Sequence, residues 1–449
     1  MRDYVTNYEE AVEYLYRIPR FNSNHSLKKI ADFLTQMGQP DRQMKIVHIA
    51  GTNGKGSTSA YLAGLLECAG LKVGLFTSPH LVDVRERFRV NGSILSKALF
   101  VEAVQFVQGL LEQSEDAYKP CYFDMMFFIG MYAFQKEKVD ILVLETGLGG
   151  RLDATNAVKD KVLTLITHIG LDHTEYLGET LEAIAEEKAG IMKQGVPCVV
   201  GLQNEQIAHV FLKKATELES ECRILDKEVI CCQRVYEKSV AFSYFSSYYG
   251  TIPITLNTQA LYQIDNVCLA MAGFEKLIEQ GILVKESVTI DMLQKALFAT
   301  LWEGRMEEVL PNVFLDGAHN VDGILAFLES VRKDVCRGER ILVFSAVADK
   351  ELGKIVKELE DAALFKKIII TEVSNIRGTT VSQLRPLFLQ NENFLYEKTP
   401  AAKAMEFAIS LQKQDDYIYV VGSLYLVGQI KEYLLHDEFY AGKRGEMLI

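Results

Sequence analysis

The residues best placed to do chemistry lie between Lys45 and Thr58, in the stretch K-I-V-H-I-A-G-T-N-G-K-G-S-T. Lys45 to Ala50 is a short apolar run of the kind that forms a buried parallel strand. Gly51 breaks it, and Ser57 to Ala69 has helical spacing with Leu62, Leu65 and Leu66 on one side. Strand, glycine-rich loop and helix in that order make a phosphate cradle: N–H groups at the helix start face an anion, glycines let the backbone come close, and a lysine adds a mobile charge. Thr52, Asn53, Gly54, Lys55, Gly56 and Ser57 are therefore the expected nucleotide-binding residues, with ATP or GTP as the anion. The usual phosphate-loop pattern is departed from twice. Ile49 stands where its first glycine belongs, and Gly56 stands where a hydroxyl normally reaches Mg²⁺, so that oxygen must come from Ser57 or from elsewhere. The bland alternative is an ordinary glycine turn.

Other polar groups close apolar runs in the same way. Val139 to Leu144 ends in Glu145, which opens E-T-G-L-G-G-R-L-D-A-T-N, and an acid at a buried strand tip beside a phosphate loop is a hard oxygen ligand for Mg²⁺. Leu71 to Thr77 leads into Thr77-Ser78-Pro79-His80. Val162 to Thr167 leads to His173, and an imidazole beside Glu145 is a further metal-ligand candidate, although lone histidines are more often structural. Lys188 falls in an acid-rich helical stretch, Thr180 to Lys193, where a solvated lysine is the ordinary reading. Farther on, Met306 to Leu315 reads as one strand ending in D-G-A-H-N at Asp316, and Tyr417 to Val421 as another ending in Gly422-Ser423.

These groups need a scaffold that sets strand ends side by side. Apolar strands alternate with helical segments along most of the chain, which implies an α/β fold with a parallel, doubly wound sheet, repeated in a second unit after Trp302. Arg223 to Leu256 instead alternates and is rich in aromatics, as a small flanking antiparallel sheet would be, and Leu261 to Glu279 returns to helix. The expected division is residues 1–298 as an ATP-binding phosphate-loop domain and 299–449 as a second α/β domain. At 449 residues with 49% hydrophobic content, the chain can bury two such cores. A net charge of −12 with no basic stripe argues against nucleic acid as a partner. No apolar run is long enough to span a membrane, and the N-terminal residues lack a signal-peptide core. None of the eight cysteines forms a C-x-x-C pair, so reduced core thiols of a cytoplasmic protein are expected.

Seven blocks taken together, G-T-N-G-K-G-S at Gly51, T-S-P-H at Thr77, E-T-G-L-G-G-R-L-D-A-T-N at Glu145, L-D-H at Leu171, W-E-G-R at Trp302, D-G-A-H-N at Asp316 and G-S-L-Y-L-V-G at Gly422, resemble the folylpolyglutamate synthase family of the wider Mur ligase group. They cover nearly the whole chain in the family's order. The resemblance implies a phosphate-loop ATPase domain with a small added sheet, followed by a Rossmann-like C-terminal domain that binds glutamate. It also implies an ATP-dependent ligase that adds L-glutamate to a folate carboxylate through an acyl phosphate, with many bacterial members also acting as dihydrofolate synthases on dihydropteroate. ATP and Mg²⁺ are the implied cofactors, and a monomer is expected.

Residue by residue, the same resemblance makes Ser78, Glu145 and His173 the Mg²⁺ ligands, with Ser57 still a candidate, and brings Asn266, Arg305 and Asp316 to ATP in a cleft between the domains. His319, also a catalytic candidate beside Lys55, and Ser423 look like part of the glutamate site. Phe123, Asp124 and Asp153, with Leu152 and Ala154 beside it, fall where the family holds the pterin-bearing substrate. Lys188, in E-K-A-G-I, resembles a lysine that takes up CO₂ as a carbamate, which requires a neutral, desolvated amine with Glu186 and Glu187 turned away. Two departures stand out: Val321 follows D-G-A-H-N where proline is frequent, and Cys121 and Asp124 stand where threonine and glutamate are common. Two other readings remain open, a cell-wall amino-acid ligase of the same group and an ATP-hydrolysing switch protein. Threonines more often follow the lysine in the former, whereas Gly56-Ser57 favours folate, and the latter has no use for the D-G-A-H-N and G-S-L-Y-L blocks.

Overall fold

The structure, a computed structural model, describes residues 4–20, 26–113, 118–347, 351–374, 378–390 and 394–436. The chain divides into two compact units. The first comprises Met1–Cys231, Ser243–Pro253 and Asp265–Thr300, and the second Cys232–Phe242, Ile254–Ile264 and Leu301–Ile449.

The first unit is built on an eight-stranded sheet. Its strands are β1 (Lys45–Ala50), β2 (Val73–Phe76), β3 (Phe88–Val90), β4 (Ser93–Ile94), β5 (Ile141–Glu145), β6 (Lys161–Ile166), β7 (Cys198–Val200) and β8 (Cys222–Ile224), in the spatial order β4-β3-β2-β5-β1-β6-β7-β8. From β2 to β8 every pairing is parallel, and β3 and β4 add an antiparallel edge. β5 is buried along its whole length and β1 at all but its first residue, as expected of strands covered on both faces, which is why they read as unbroken apolar runs. Parallel neighbours end at the same edge. Glu145 at the tip of β5, and the segments after β2, β1 and β6, which hold Ser78, the phosphate loop and His173, therefore emerge together.

The aromatic core on the β2–β5 side includes the fully buried Phe76, Phe88, Phe127, Phe128 and Phe134. Each contributes about 1.5–3 kcal/mol of burial. The Lys55–Cys68 helix begins two residues earlier than its spacing suggests, because Gly54 at φ +89° lets the chain turn directly into it. The helix carrying Lys188 is shorter than expected, Leu181–Ala189. The Thr180 side chain caps its start, and the turn at Gly190 ends it. A separate three-stranded sheet, ordered β11-β10-β9, is formed by β9 (Ile230–Val235), β10 (Val240–Ser246) and β11 (Gly250–Leu256). The next helix runs from Gln263 to Glu279.

The second unit carries a six-stranded sheet, β12 (Glu307–Leu310), β13 (Val313–Leu315), β14 (Arg340–Phe344), β15 (Lys367–Ile370), β16 (Leu395–Glu397) and β17 (Tyr417–Val421), ordered β12-β13-β17-β14-β15-β16. All its pairings are parallel except β12–β13. The single strand expected over Met306 to Leu315 is in fact this antiparallel hairpin. It turns at Pro311-Asn312, with Asn312 at φ +62°, and the apolar residues on both sides hide the turn in the sequence. Asp316 follows β13 and Gly422-Ser423 follows β17, its parallel neighbour, so both blocks leave the same edge of the sheet.

Candidate active site

Backbone contacts brace the phosphate loop from the next strand. Thr52 N–H donates to the His168 carbonyl at 2.8 Å, and Thr52 Oγ1 to the Gly170 carbonyl at 3.0 Å. A Cβ on Gly51 would lie 1.7 Å from Thr167 Oγ1 and 2.8 Å from its Cβ, and one on Gly54 2.1 Å from Asn266 Oδ1, where φ of +89° disfavours any side chain as well. The second contact also places Asn266, expected at the nucleotide, against the first turn of the phosphate-loop helix, where Thr58 Oγ1 donates to it at 3.4 Å. Lys55 Nζ donates to the Gly51 and Thr52 carbonyls, both at 3.0 Å. Ser57 is buried in the same turn, and its hydroxyl has no hydrogen-bond partner among the described residues.

Lys188 is not a solvated surface lysine. Its Nζ donates to the Gly51 carbonyl at 2.7 Å, the side chain is buried, and burial pushes its pKa well below the ordinary lysine value, with repulsion from Lys55 adding to the shift. Glu186 is exposed, and Glu187 is turned to Arg151, whose Nη2 lies 2.8 Å from its Oε1. Glu145 is buried at the tip of β5 and accepts the Ser78 N–H at 2.9 Å, so these two residues are brought together. His173 sits at φ +50° in the loop after β6, half-exposed, with Nε2 3.8 Å from Asp172 Oδ1. Among the described residues no group of three or more His, Cys, Asp or Glu side chains converges as a metal centre. The Glu145 carboxylate with Ser78 against it, and the Ser57 hydroxyl without a partner in the first turn of the helix, nevertheless are oxygen groups that suit a hard cation such as Mg²⁺, which needs few protein ligands because it keeps several waters.

The E-T-G-L-G-G-R-L-D-A-T-N loop is held from inside. Asp153 accepts the N–H groups of Gly147 (2.9 Å), Leu148 (2.8 Å) and Thr155 (3.0 Å), and also the Thr155 hydroxyl. Thr155 Oγ1 in turn lies 2.8 Å from Nε2 of His48, a fully buried residue on β1. Burial pushes the His48 pKa well down, so the ring is neutral and its Nε2–H donates to the threonine. Both carboxylate oxygens of Asp153 thus serve the loop. Ala154 is buried, Leu152 is exposed, and the Phe123 ring packs where a side chain on Gly147 would otherwise stand. Asp124 is also engaged: it is buried at the third position of the Tyr122–Lys136 helix and accepts from the Cys121 N–H and the Tyr118 hydroxyl, both at 3.0 Å.

In the second unit Asp316 is buried and accepts from the Tyr262 hydroxyl, the Met306 N–H at 3.0 Å and the Ala318 N–H at 2.8 Å. Burial raises its pKa, opposed by the charge of Arg305. The His319 Nδ1–H donates to the Gly317 carbonyl at 2.8 Å, which fixes the tautomer. Ser423 is buried, and its Oγ accepts the Tyr425 N–H at 3.1 Å in the first turn of the Leu424–His436 helix. The sequence pointed to Asp316, His319 and Ser423. It held no sign of His48 or Thr155, because single polar residues inside apolar or glycine-rich runs carry no pattern.

A phosphate loop with a carboxylate and a buried amine at neighbouring strand ends, followed by a Rossmann-like sheet with polar groups at one edge, defines a phosphate-loop ligase of the Mur type. Residues 304–424 match the family model described as Mur ligase, glutamate ligase domain. The chain is 30% identical over 437 residues to the dihydrofolate synthase/folylpolyglutamate synthase of Bacillus subtilis, covering 96% of this chain and 99% of that protein. It is likewise 30% identical over 437 residues to the folylpolyglutamate synthase of Lacticaseibacillus casei, with the same coverage. It superposes on the Mycobacterium tuberculosis folylpolyglutamate synthase complexed with ADP with a TM-score of 0.88 at 25% identity, covering 97% of this chain and 100% of that one. The chain belongs to the folylpolyglutamate synthase/dihydrofolate synthase family. Among the described residues no helix is long and apolar enough to cross a membrane.

Proposed function

We propose that this protein is an ATP-dependent ligase that joins L-glutamate to a folate carboxylate, and that it also accepts dihydropteroate. The observation that carries the reading is the convergence of the phosphate loop, Glu145 with Ser78, and buried Lys188 at one sheet edge, in a chain aligned end to end with such ligases. The folate carboxylate attacks the γ-phosphorus of ATP, ADP leaves, and an acyl phosphate forms. The glutamate amine then adds to the acyl carbon, and the tetrahedral adduct collapses to the amide, releasing inorganic phosphate and a proton. The first step brings two anions together, so charge neutralisation dominates its barrier. Lys55 supplies a cation to the transferring phosphate, and Thr52, Asn53, Gly54, Gly56 and Ser57 hold the polyphosphate with backbone and hydroxyl donors.

Ser78, Glu145 and His173, with Ser57, would hold Mg²⁺, which supplies the remaining positive charge on the phosphates. Burial favours the uncharged form of the Lys188 amine, the form that reacts with CO₂, in which a carbamate forms and one proton is lost. The anion so produced offers oxygen to a hard cation, which a protonated lysine at that place would repel. Asn266, Arg305 and Asp316 serve ATP, and His319 and Ser423 serve glutamate. Phe123 and the loop held by Asp153 serve the pterin-bearing acceptor, with Asp124 fixing the helix that carries Phe123. We place the protein in the cytoplasm as a monomer, which sedimentation near 50.6 kDa checks.

The deciding assay follows phosphate release with ATP and Mg²⁺ while folate, dihydropteroate and glutamate are omitted in turn. Release that requires glutamate together with either acceptor is expected, and it should fall by about 10²–10³ in Lys55→Ala. Release that ignores glutamate removes the ligase reading, and activity only with a cell-wall precursor assigns the protein to the sister group.

A further inference from the structure

Lys431, on the Leu424–His436 helix, has no role in the chemistry above, yet it is largely buried between two carboxylates. Its Nζ lies 2.6 Å from Glu303 Oε2 and 2.7 Å from Glu307 Oε1. These two glutamates flank a turn that the backbone does not adopt readily. Gly304 is at φ +65° and Met306, which is not a glycine, at φ +48°. A non-glycine residue there is costly and persists only when its surroundings over-determine it. They do so here. The Gly304 N–H donates to Glu307 Oε2 at 2.8 Å, the Met306 N–H to Asp316 at 3.0 Å, and the Gly304 carbonyl accepts both the Gly317 N–H and Arg305 Nη1 at 2.8 Å. Arg305 sits at the apex of that turn. A side chain on Gly317 would meet its guanidinium at 2.3 Å and Leu424 at the same distance, so the turn, the Asp316 loop and the first turn of the helix are in van der Waals contact.

We infer that Lys431 is a positioning residue for the nucleotide: by tying Glu303 to Glu307 it holds the 303–307 turn in the one conformation that aims Arg305. The inference rests on the reading that Arg305 contacts ATP. Removing the lysine leaves two carboxylates facing each other across the turn, and their repulsion opens it. The turn then samples ordinary backbone conformations, and the guanidinium is no longer held in one place.

The test measures Mg-ATP affinity by calorimetry, and KM for ATP and for glutamate, in wild type, Lys431→Met and Lys431→Arg. Lys431→Met should weaken ATP binding and raise KM for ATP by about tenfold while KM for glutamate changes by less than about threefold, and Lys431→Arg should return ATP affinity to within about threefold of wild type. Unchanged ATP affinity in Lys431→Met, or equal losses for both substrates, overturns the inference. If Lys431→Met does not fold, Glu303→Gln, which removes one of the two ion pairs, should raise KM for ATP by about threefold, and no change there has the same force. A wild type that binds ATP without ligating removes the ligase reading, but the affinity comparison still decides the role of Lys431.

Discussion

Replacing Thr155 by valine tests whether the glycine-rich loop is held from beneath, as the His48–Thr155–Asp153 chain requires. Valine keeps the shape, so no cavity forms, and the loss is confined to two hydrogen bonds in a fully buried site. The bond to the Asp153 carboxylate is charge-assisted, and losing it costs about 1.5–3 kcal/mol, while the stranded His48 N–H costs about 1–3 kcal/mol more. The sum, about 2.5–6 kcal/mol, is a large share of an ordinary stability margin. Thr155→Ser keeps both bonds and loses one methyl, which costs about 1 kcal/mol. In a His48→Leu background the same Thr155→Val change should cost less by the stranded N–H alone, a coupling of about 1–3 kcal/mol. The assay is urea unfolding followed by far-UV circular dichroism. Fluorescence would mislead, because the chain's single tryptophan, Trp302, lies in the second unit and the change is in the first, and two units need not unfold as one. A Thr155→Val midpoint equal to wild type, or a serine variant as damaged as the valine one, would refute the reasoning.

Lys161 gives a pH signature. Its buried Nζ donates to Asn156 Oδ1 at 2.7 Å and to the Ile191 carbonyl at 3.2 Å, and burial holds its pKa well below the ordinary lysine value. Between that depressed value and the unfolded value near 10.4, only the unfolded chain binds this proton, so wild-type stability falls as pH falls, by about 1.4 kcal/mol per unit for one proton. Lys161→Met should flatten the slope just below the unfolded lysine value by about that amount, and an unaltered slope there would show that Lys161 is charged in the fold. For the metal, Glu145→Gln should raise the Mg²⁺ concentration for half-maximal activity by about tenfold, since one of few protein ligands is lost. A Mg²⁺ titration that superimposes on wild type would remove Glu145 from the site.

What could be read from the sequence follows from how far apart the partners are. The phosphate loop and Glu145 were legible because strand, loop and terminal polar residue are contiguous, and parallel pairing then sets their ends side by side. Lys188 is different. Its acidic helix suggests solvent, and only the family pattern singled it out, because the Gly51 carbonyl it reaches is 137 residues away. His48 looks like one more residue of an apolar strand until Thr155, 107 residues on, folds over it. Asp124 and Asp153 were legible as acids near glycine-rich and aromatic blocks, but not the local bonds they make: Asp124 Oδ2 accepts the Cys121 N–H, and Asp153 accepts the Gly147 and Leu148 N–H groups. The turn at Asn312 was lost inside an apolar run, and Lys431 lies more than 100 residues from either glutamate it joins.

The interleaving of the two units along the chain bears on how the protein is made. The first unit is not complete at Cys231: it also needs Ser243–Pro253 and Asp265–Thr300, which contain most of the Gln263–Glu279 helix. Gly273 in that helix lies against Leu163 and Leu165 of β6, and Asn266 against Gly54. A ribosome adding roughly 5–20 residues per second needs several seconds to cover the stretch from residue 231 to residue 300. During that interval the nascent sheet has an uncovered apolar face and a phosphate loop without its Asn266 neighbour. The contacts that complete the first unit can therefore form only once residue 300 has been added.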